Sequence, residues 1–227
     1  MNTVVTYIYG DTEYLRDPLV ITQDTQYVVF TDNTRLKSSV WKPIYNQTDP
    51  TLSTRDQVAS IKFNPFIIPS ERYIILDASH EIKSDLTPIF NLIDENTLLV
   101  KRHPARVCLH EEIRRWQTIR NMSDIYAQKI HSLINIAGAH YYNTPIYEGC
   151  FIGVSSSPQH QYLFHSIINM LKLLRNGNDW FPSNQMALSF LISKLSINIL
   201  PINTKFYVNR YEHHSWRCIN EFAINEC

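Results

Sequence analysis

Short apolar runs separated by polar turns fill the first third of the chain, and longer stripes at helical spacing fill most of the rest. Residues 3–9 (TVVTYIY), 27–31 (YVVFT) and 40–45 (VWKPIY) are rich in β-branched and aromatic side chains and are bounded by Asp, Asn, Gly or Pro. That pattern predicts three strands. Residues 55–62 predict a short helix with Ser53 or Thr54 as N-cap, since a hydroxyl there satisfies an orphaned backbone donor. Residues 73–76 (YIIL) are apolar at every position, as expected of a strand covered on both faces in the middle of a parallel sheet. A short helix over 87–93 and a strand over 97–100 follow.

The second half turns helical. Leu109, Ile113, Trp116 and Arg120 recur at helical spacing, with the arginine stem extending the stripe. Leu163, Phe164, Ile167, Ile168, Leu171 and Leu174 form a second stripe, which Asn176-Gly177 would stop. Leu188, Leu191, Ile192 and Leu195 form a third, with Ser183 as a possible N-cap. Between the first and second lies GCFIGV, 149–154, which reads as a core strand. Residues 205–227 are polar and aromatic without a clear period. The alternation predicts an α/β chain: a mostly parallel sheet flanked by helices, with a helical second half. Such sheets take ligands beyond the carboxyl ends of their strands, at a topological switch point.

Composition narrows the classes. A chain of 227 residues that is 44% hydrophobic and 19% charged suits one globular domain. A formal net charge of zero gives no global attraction to nucleic acid or to an anionic membrane. Cys108, Cys150, Cys218 and Cys227 form no C-x-x-C pair, which argues against a zinc or redox motif. Free thiols, the absence of a signal-peptide pattern in MNTVVTYIYGDTEY and the lack of a long apolar run lead us to expect a soluble, cytoplasmic chain without stable membrane insertion.

Five stretches carry candidate chemistry. In YIILDASHEI, 73–82, the strand ends on Asp77, followed by the small residues Ala78 and Ser79. A carboxylate there can hold a divalent cation that neutralises a diphosphate, while the plainer reading is a turn cap. RHPARVCLHEE, 102–112, offers His103, Arg106, His110, Glu111 and Glu112 where a strand gives way to a helix. Arg106 can clamp a phosphate or carboxylate, and the glutamates suit the helix dipole. NTPIYEGCFIGV, 143–154, places Glu148 beside Gly149. SNQMALSF, 183–190, opens a helix, and RYEHHSWR, 210–217, carries the adjacent His213 and His214. Lys101, Arg102, Arg106, Arg114, Arg115 and Arg120 form a local basic cluster that suits phosphates or a solvated helix face.

Taken in order, IYGDTEYLRDP (8–18), YVVFTDN (27–33), VWKP (40–43), Arg55 with IKFNP (61–65), YIILDASHEI, RHPARVCLHEE, PIYEGCFIGV and NQMALSF resemble a known set. Over roughly residues 4–200 the chain is similar to the glycosyltransferase-like family of bacterial polysaccharide clusters and plant mucilage and pollen-wall proteins. The specific part is HPARVCLHEE following ILDAS. The resemblance implies a GT-A-like fold over 1–227, a nucleotide-binding half (1–100) and an acceptor-side half (101–227), with a nucleoside-diphosphate sugar, UDP-sugar foremost, and Mn2+ or Mg2+ as cofactors. It implies that Asp77 is the first Asp of a metal-binding D-x-D, with Ser79 in place of the second. It implies that Tyr9, Gly10 and Asp32 hold base and ribose and that Arg55 and Lys62 face the diphosphate. It implies that His103, Arg106, Glu112 and Glu148 line the sugar or acceptor side. Asn184 stands where the family has a carboxylate; an amide orients a hydroxyl but is no base. His213 or His214 would complete the metal site. The expected activity is metal-assisted transfer of a sugar to a hydroxyl of a glycan or a modified DNA base. The alternatives are a phage-type enzyme specific for hydroxymethylated bases, a non-catalytic nucleotide-sugar-fold protein, and a hydrolase using Asp77 and the histidines.

Overall fold

The computed structural model of the protein describes residues 1–10, 15–45, 53–119, 122, 124–174 and 184–211. The chain is α/β and Rossmann-like. Its sheet begins with β1 (Asn2–Ile8), β2 (Thr25–Thr31), β3 (Lys42–Tyr45) and β4 (Arg72–Leu76), then β6 (Thr97–Arg102), β7 (Tyr147–Ser155) and β8 (Asn198–Pro201). The spatial order is β3-β2-β1-β4-β7-β6-β8. All neighbours pair in parallel except β7, which runs against both β4 and β6. A separate two-stranded antiparallel ribbon joins β5 (His80–Ile82) to β9 (Val208–Arg210).

Continuous apolar runs make the strands buried on both faces. Val5 and Tyr7 of β1, Val28 and Phe30 of β2, and Tyr73 and Ile75 of β4 point to one side. That side is covered by α1 (Thr54–Lys62), α3 (Leu109–Ile119), α4 (Asp124–Ala137), α5 (Pro158–Leu174) and α6 (Asn184–Lys194). Val4, Ile8, Val29, Ile74 and Leu76 point to the other side, where Ile89 and Phe90 of α2 (Thr87–Phe90) pack with Ile82 of β5 and Val208 of β9. No helix among the described residues is long and apolar enough to cross a membrane.

Boundaries match the pattern where burial is two-sided. Ser53 is the N-cap of α1, its hydroxyl accepting the Asp56 N–H at 3.2 Å. The helix expected over 87–93 closes at Phe90 and continues as turns, Ile93 N–H reaching the Phe90 carbonyl at 3.1 Å. The reading missed α4, β5, β8 and β9. The two ribbon strands have three residues each, too short for a period, and β8 is an edge strand with little buried surface. Asn176-Gly177 and Ser183 lie outside the described residues.

Candidate functional site

The sheet order places the switch point between β1 and β4: the chain moves from β1 outward to β2 and β3, then returns to the other side of β1. Asp77 directly follows β4 at this edge. Its main chain makes the turn, with the Asp77 N–H bonded to the Cys150 carbonyl (3.1 Å) and the His80 N–H bonded to the Asp77 carbonyl (3.0 Å). The side chain is thereby released from capping. It accepts a hydrogen bond from the Tyr7 hydroxyl, across from β1, and one from Lys62 Nζ at 2.9 Å. Lys62 comes from the last turn of α1, where a cation suits the helix dipole. Its side chain is only 7% exposed, and that of Asp77 31%. Gly149 leaves room for it: a Cβ there would sit 3.2 Å from Lys62 Nζ. Burial works to raise the Asp77 pKa, but the Lys62 charge and the bonds from Tyr7 and Lys62 outweigh it and hold the carboxyl below its usual range.

A second charged centre forms on β7. The β6–β7 register runs regularly to Val100↔Ile152 and then jumps to Lys101↔Glu148. Such irregularities re-aim side chains. Here Glu148 is buried, with Lys101 Nζ at 2.5 Å and Arg210 Nη1 at 3.6 Å. The Cys150 thiol also donates to it, at 3.4 Å. Burial works to raise the Glu148 pKa, and Lys101 and then Arg210 bring it below the usual range. Arg210 is carried in by the ribbon, in register opposite His80, and remains 53% exposed. The ribbon is tied down by Tyr211, whose N–H bonds to the Ser79 carbonyl at 2.9 Å and whose ring lies 3.8 Å from the Arg16 guanidinium.

The neighbours are electrically quiet. Burial pushes the His80 pKa down to about 4 and the Cys150 thiol up to about 12, the latter helped by the charges of Asp77 and Glu148. Cys150 is therefore no thiolate nucleophile at neutral pH. Burial and the Arg106 charge push His103 down to about 4 as well. Its Nδ1 accepts the N–H groups of Ala105 (3.1 Å) and Arg106 (3.0 Å), which puts the proton of the neutral ring on Nε2. His103 can donate a hydrogen bond from there but offers no free base.

The remaining expected residues separate into groups. The Asp32 carboxylate accepts the Gly10 N–H at 3.0 and 3.2 Å, joining the ends of β2 and β1. Gly10 has φ +69°, a conformation that favours glycine. Tyr9 is buried beside them. Ser79 Oγ lies 3.4 Å from His80 Nδ1. Arg106 and Glu112 are paired with each other, and the fully buried Glu112 also accepts the Trp116 indole N–H at 2.9 Å. This pair braces α3 against the loop before it, so the chain's own structure uses the two groups the resemblance assigns to the sugar or acceptor side. Asn184 is the first residue of α6 and is half-buried. Arg55 lies in α1, but its side chain, like His213 and His214, is outside the described residues.

Tyr7, His80, Lys101, Cys150 and Arg210 join the site without having been chosen for it from the sequence. Tyr7 was legible in principle, since it lies two positions before Tyr9 on the same strand face. The basic cluster divides: Lys101 pairs with Glu148 and Arg106 with Glu112, while Arg120 lies outside the described residues.

The resemblance assigns a divalent cation to Asp77, His213 and His214, of which only Asp77 lies among the described residues. Asp77 already holds an ammonium ion and a hydroxyl, and Ser79 supplies no second carboxylate. Among the described residues no group of three His, Cys, Asp or Glu side chains is arranged to hold a metal.

The buried His80 and the half-buried His103 make stability depend on pH. In an unfolded chain they take up a proton near pH 6.5, but in the fold His80 and His103 do so only near 4. The unfolded state thus binds more protons between these values. The stabilisation is complete above the unfolded pKa and declines as pH falls toward the folded one. Thermal melts are expected to show a midpoint that drops between about pH 6.5 and 4, with a shallower slope in His80→Gln. A midpoint that is flat across this window would contradict neutral burial of these rings. No protein-family model and no curated protein matches the chain.

Proposed function

We propose that the protein transfers a glycosyl group from a nucleoside-diphosphate sugar, UDP-sugar foremost, to a hydroxyl of a glycan acceptor. One observation carries the reading: Tyr7, Asp77 and Lys62 join in a hydrogen-bonded bridge across the β1/β4 switch point. The β3-β2-β1-β4 order is that of a mononucleotide-binding half, and nucleotides bind such halves at this crevice.

In this reading the Asp32–Gly10 corner faces the nucleoside, as carboxylates at that strand end face ribose hydroxyls. Arg210, 53% exposed, faces the diphosphate as a cation supplied by the chain, and the buried Lys62 fixes the Asp77 carboxylate at the switch point. Glu148, held ionised, accepts a hydrogen bond from the acceptor hydroxyl and orients its oxygen toward the anomeric carbon. Its lowered pKa makes it a weak general base, so its contribution is orientation and charge. The anomeric C–O bond breaks with its electron pair leaving on the diphosphate, the acceptor oxygen forms the new bond, and the hydroxyl proton passes to the departing phosphate. A DNA acceptor is less favoured, because Lys101 and Arg106 are spent on internal ion pairs and not on a phosphate-tracking surface.

The test is calorimetric titration of UDP into the wild type, Asp77→Asn and Lys62→Met, with and without manganese. Micromolar binding is expected in the wild type and loss of it in both variants. A strict need for manganese would assign cation ligands to residues beyond those described, His213 and His214 among them. Binding without it would leave Arg210 as the cation opposite the diphosphate, with Lys62 supporting the site through Asp77. Failure of every nucleoside diphosphate to bind would overturn the reading.

A further inference from the structure

Between α3, α4 and the segment that enters β7 lies an open cavity of about 590 Å3 whose lining includes His110, Glu111 and Arg114 of α3, His131 of α4, and Tyr142 and Asn143 of the 3-10 turn ahead of β7. Its volume falls in the range of small-molecule sites, roughly 300–1,000 Å3. We propose that this cavity is an acceptor subsite that takes an oligosaccharide; the proposal rests on the transferase reading above and names its acceptor class.

Position is the first argument. The Leu109 N–H bonds to the Thr144 carbonyl at 2.9 Å, and Cys108 bridges Pro145, so the start of α3 is fastened to the segment entering β7. That segment reaches Glu148 five residues after Asn143. Five residues span at most about 18 Å, so Asn143 on the cavity wall and Glu148 lie no farther apart than an extended oligosaccharide of a few units can bridge.

Chemistry is the second. Tyr142 stands at the centre of an aromatic group, with the His110 ring edge-on at 5.8 Å and the His131 ring tilted at 5.5 Å. The Tyr142 hydroxyl and His131 Nδ1 are 2.7 Å apart, which fixes both. Around this apolar and aromatic wall the polar groups mix donors and acceptors: Arg114 donates, Glu111 accepts, and Asn143 does both. Arg114 makes no ion pair among the described residues, and one Glu111 oxygen already accepts the Val107 N–H at 2.8 Å. One arginine offset by one glutamate does not select an anion. Many hydroxyls on a ring with an apolar face match this lining better than phosphates do. Glu112, in the first turn of α3, pairs with Arg106 of the preceding loop and ties the two together.

The experiment uses the full chain and ligand-observed NMR with neutral and acidic oligosaccharides of two to four units, drawn from the cello-, chito- and galacturonic-acid series. Wild-type protein is expected to bind at least one series, and Arg114→Ala and Asn143→Ala to weaken that binding about tenfold with UDP affinity unchanged. Tyr142→Phe keeps the ring and should retain most of the binding; Tyr142→Ala should not. Arg114 and Asn143 are exposed, so their replacement leaves the fold intact. No binding to any series, or binding indifferent to these substitutions, overturns the proposal. UDP binding without oligosaccharide binding leaves the donor reading standing and removes the cavity. Oligosaccharide binding without UDP binding removes the transferase and leaves a carbohydrate-binding cleft.

Discussion

Asp77→Asn is expected to abolish sugar transfer and, at the same time, to lower stability by about 3 kcal/mol. The stability loss is set by Lys62, not by Asp77 itself. With its side chain 7% exposed, Lys62 cannot turn to water when its partner charge is removed. Truncating one member of a buried pair leaves the other charge uncompensated, and the partial exposure of Asp77 puts the effect at the lower end for such pairs. The loss of activity has a separate cause: without the carboxylate, neither Tyr7 nor Lys62 is held at the switch point. The two effects separate in the double variant Lys62→Met/Asp77→Asn. It is expected to recover most of the stability, since both charges are gone, and none of the activity. Denaturant melts and turnover on the same four proteins measure this. Full transfer activity in Asp77→Asn would remove Asp77 from the site.

Glu148→Gln is expected to lower kcat about 100-fold while leaving the donor KM within a few-fold, because the acceptor oxygen loses its charged partner and the donor does not. Stability should fall by only about 1 kcal/mol, in contrast to Asp77→Asn, since Arg210 and to a lesser extent Lys101 have access to water. Steady-state kinetics with the donor varied at a fixed, saturating acceptor gives the answer. An unchanged kcat would assign Glu148 to the support of β7 alone.

These contrasts show why a residue's type says less than its partners. The motif reading expected Asp77 to meet a metal with Ser79 in place of a second carboxylate, and among the described residues Asp77 holds an ammonium from another element. It assigned Arg106 and Glu112 to the sugar or acceptor side, and the fold pairs them with each other, Glu112 from the first turn of α3. Each is a matter of which long side chain reaches which carboxylate, and spacing along a strand or helix does not encode that.

What the sequence determined alone were the features governed by local periodicity and two-sided burial. The β1 and β2 strands are legible in their β-branched and aromatic residues and β4 in an apolar run covered on both faces, and their carboxyl ends place Tyr9, Asp32 and Asp77 at one edge of the sheet. Ser53 or Thr54 marked the start of α1 because a hydroxyl there meets a need every helix has, and the structure gives the cap to Ser53. The tertiary structure decided the rest. The reversal of β7 between β4 and β6, the register jump that turns Glu148 toward Lys101, and the arrival of Arg210 on a three-residue ribbon depend on partners far away in the chain. A short strand has no period to betray it, and an ion pair has no signature until folding brings its two ends within a few ångströms.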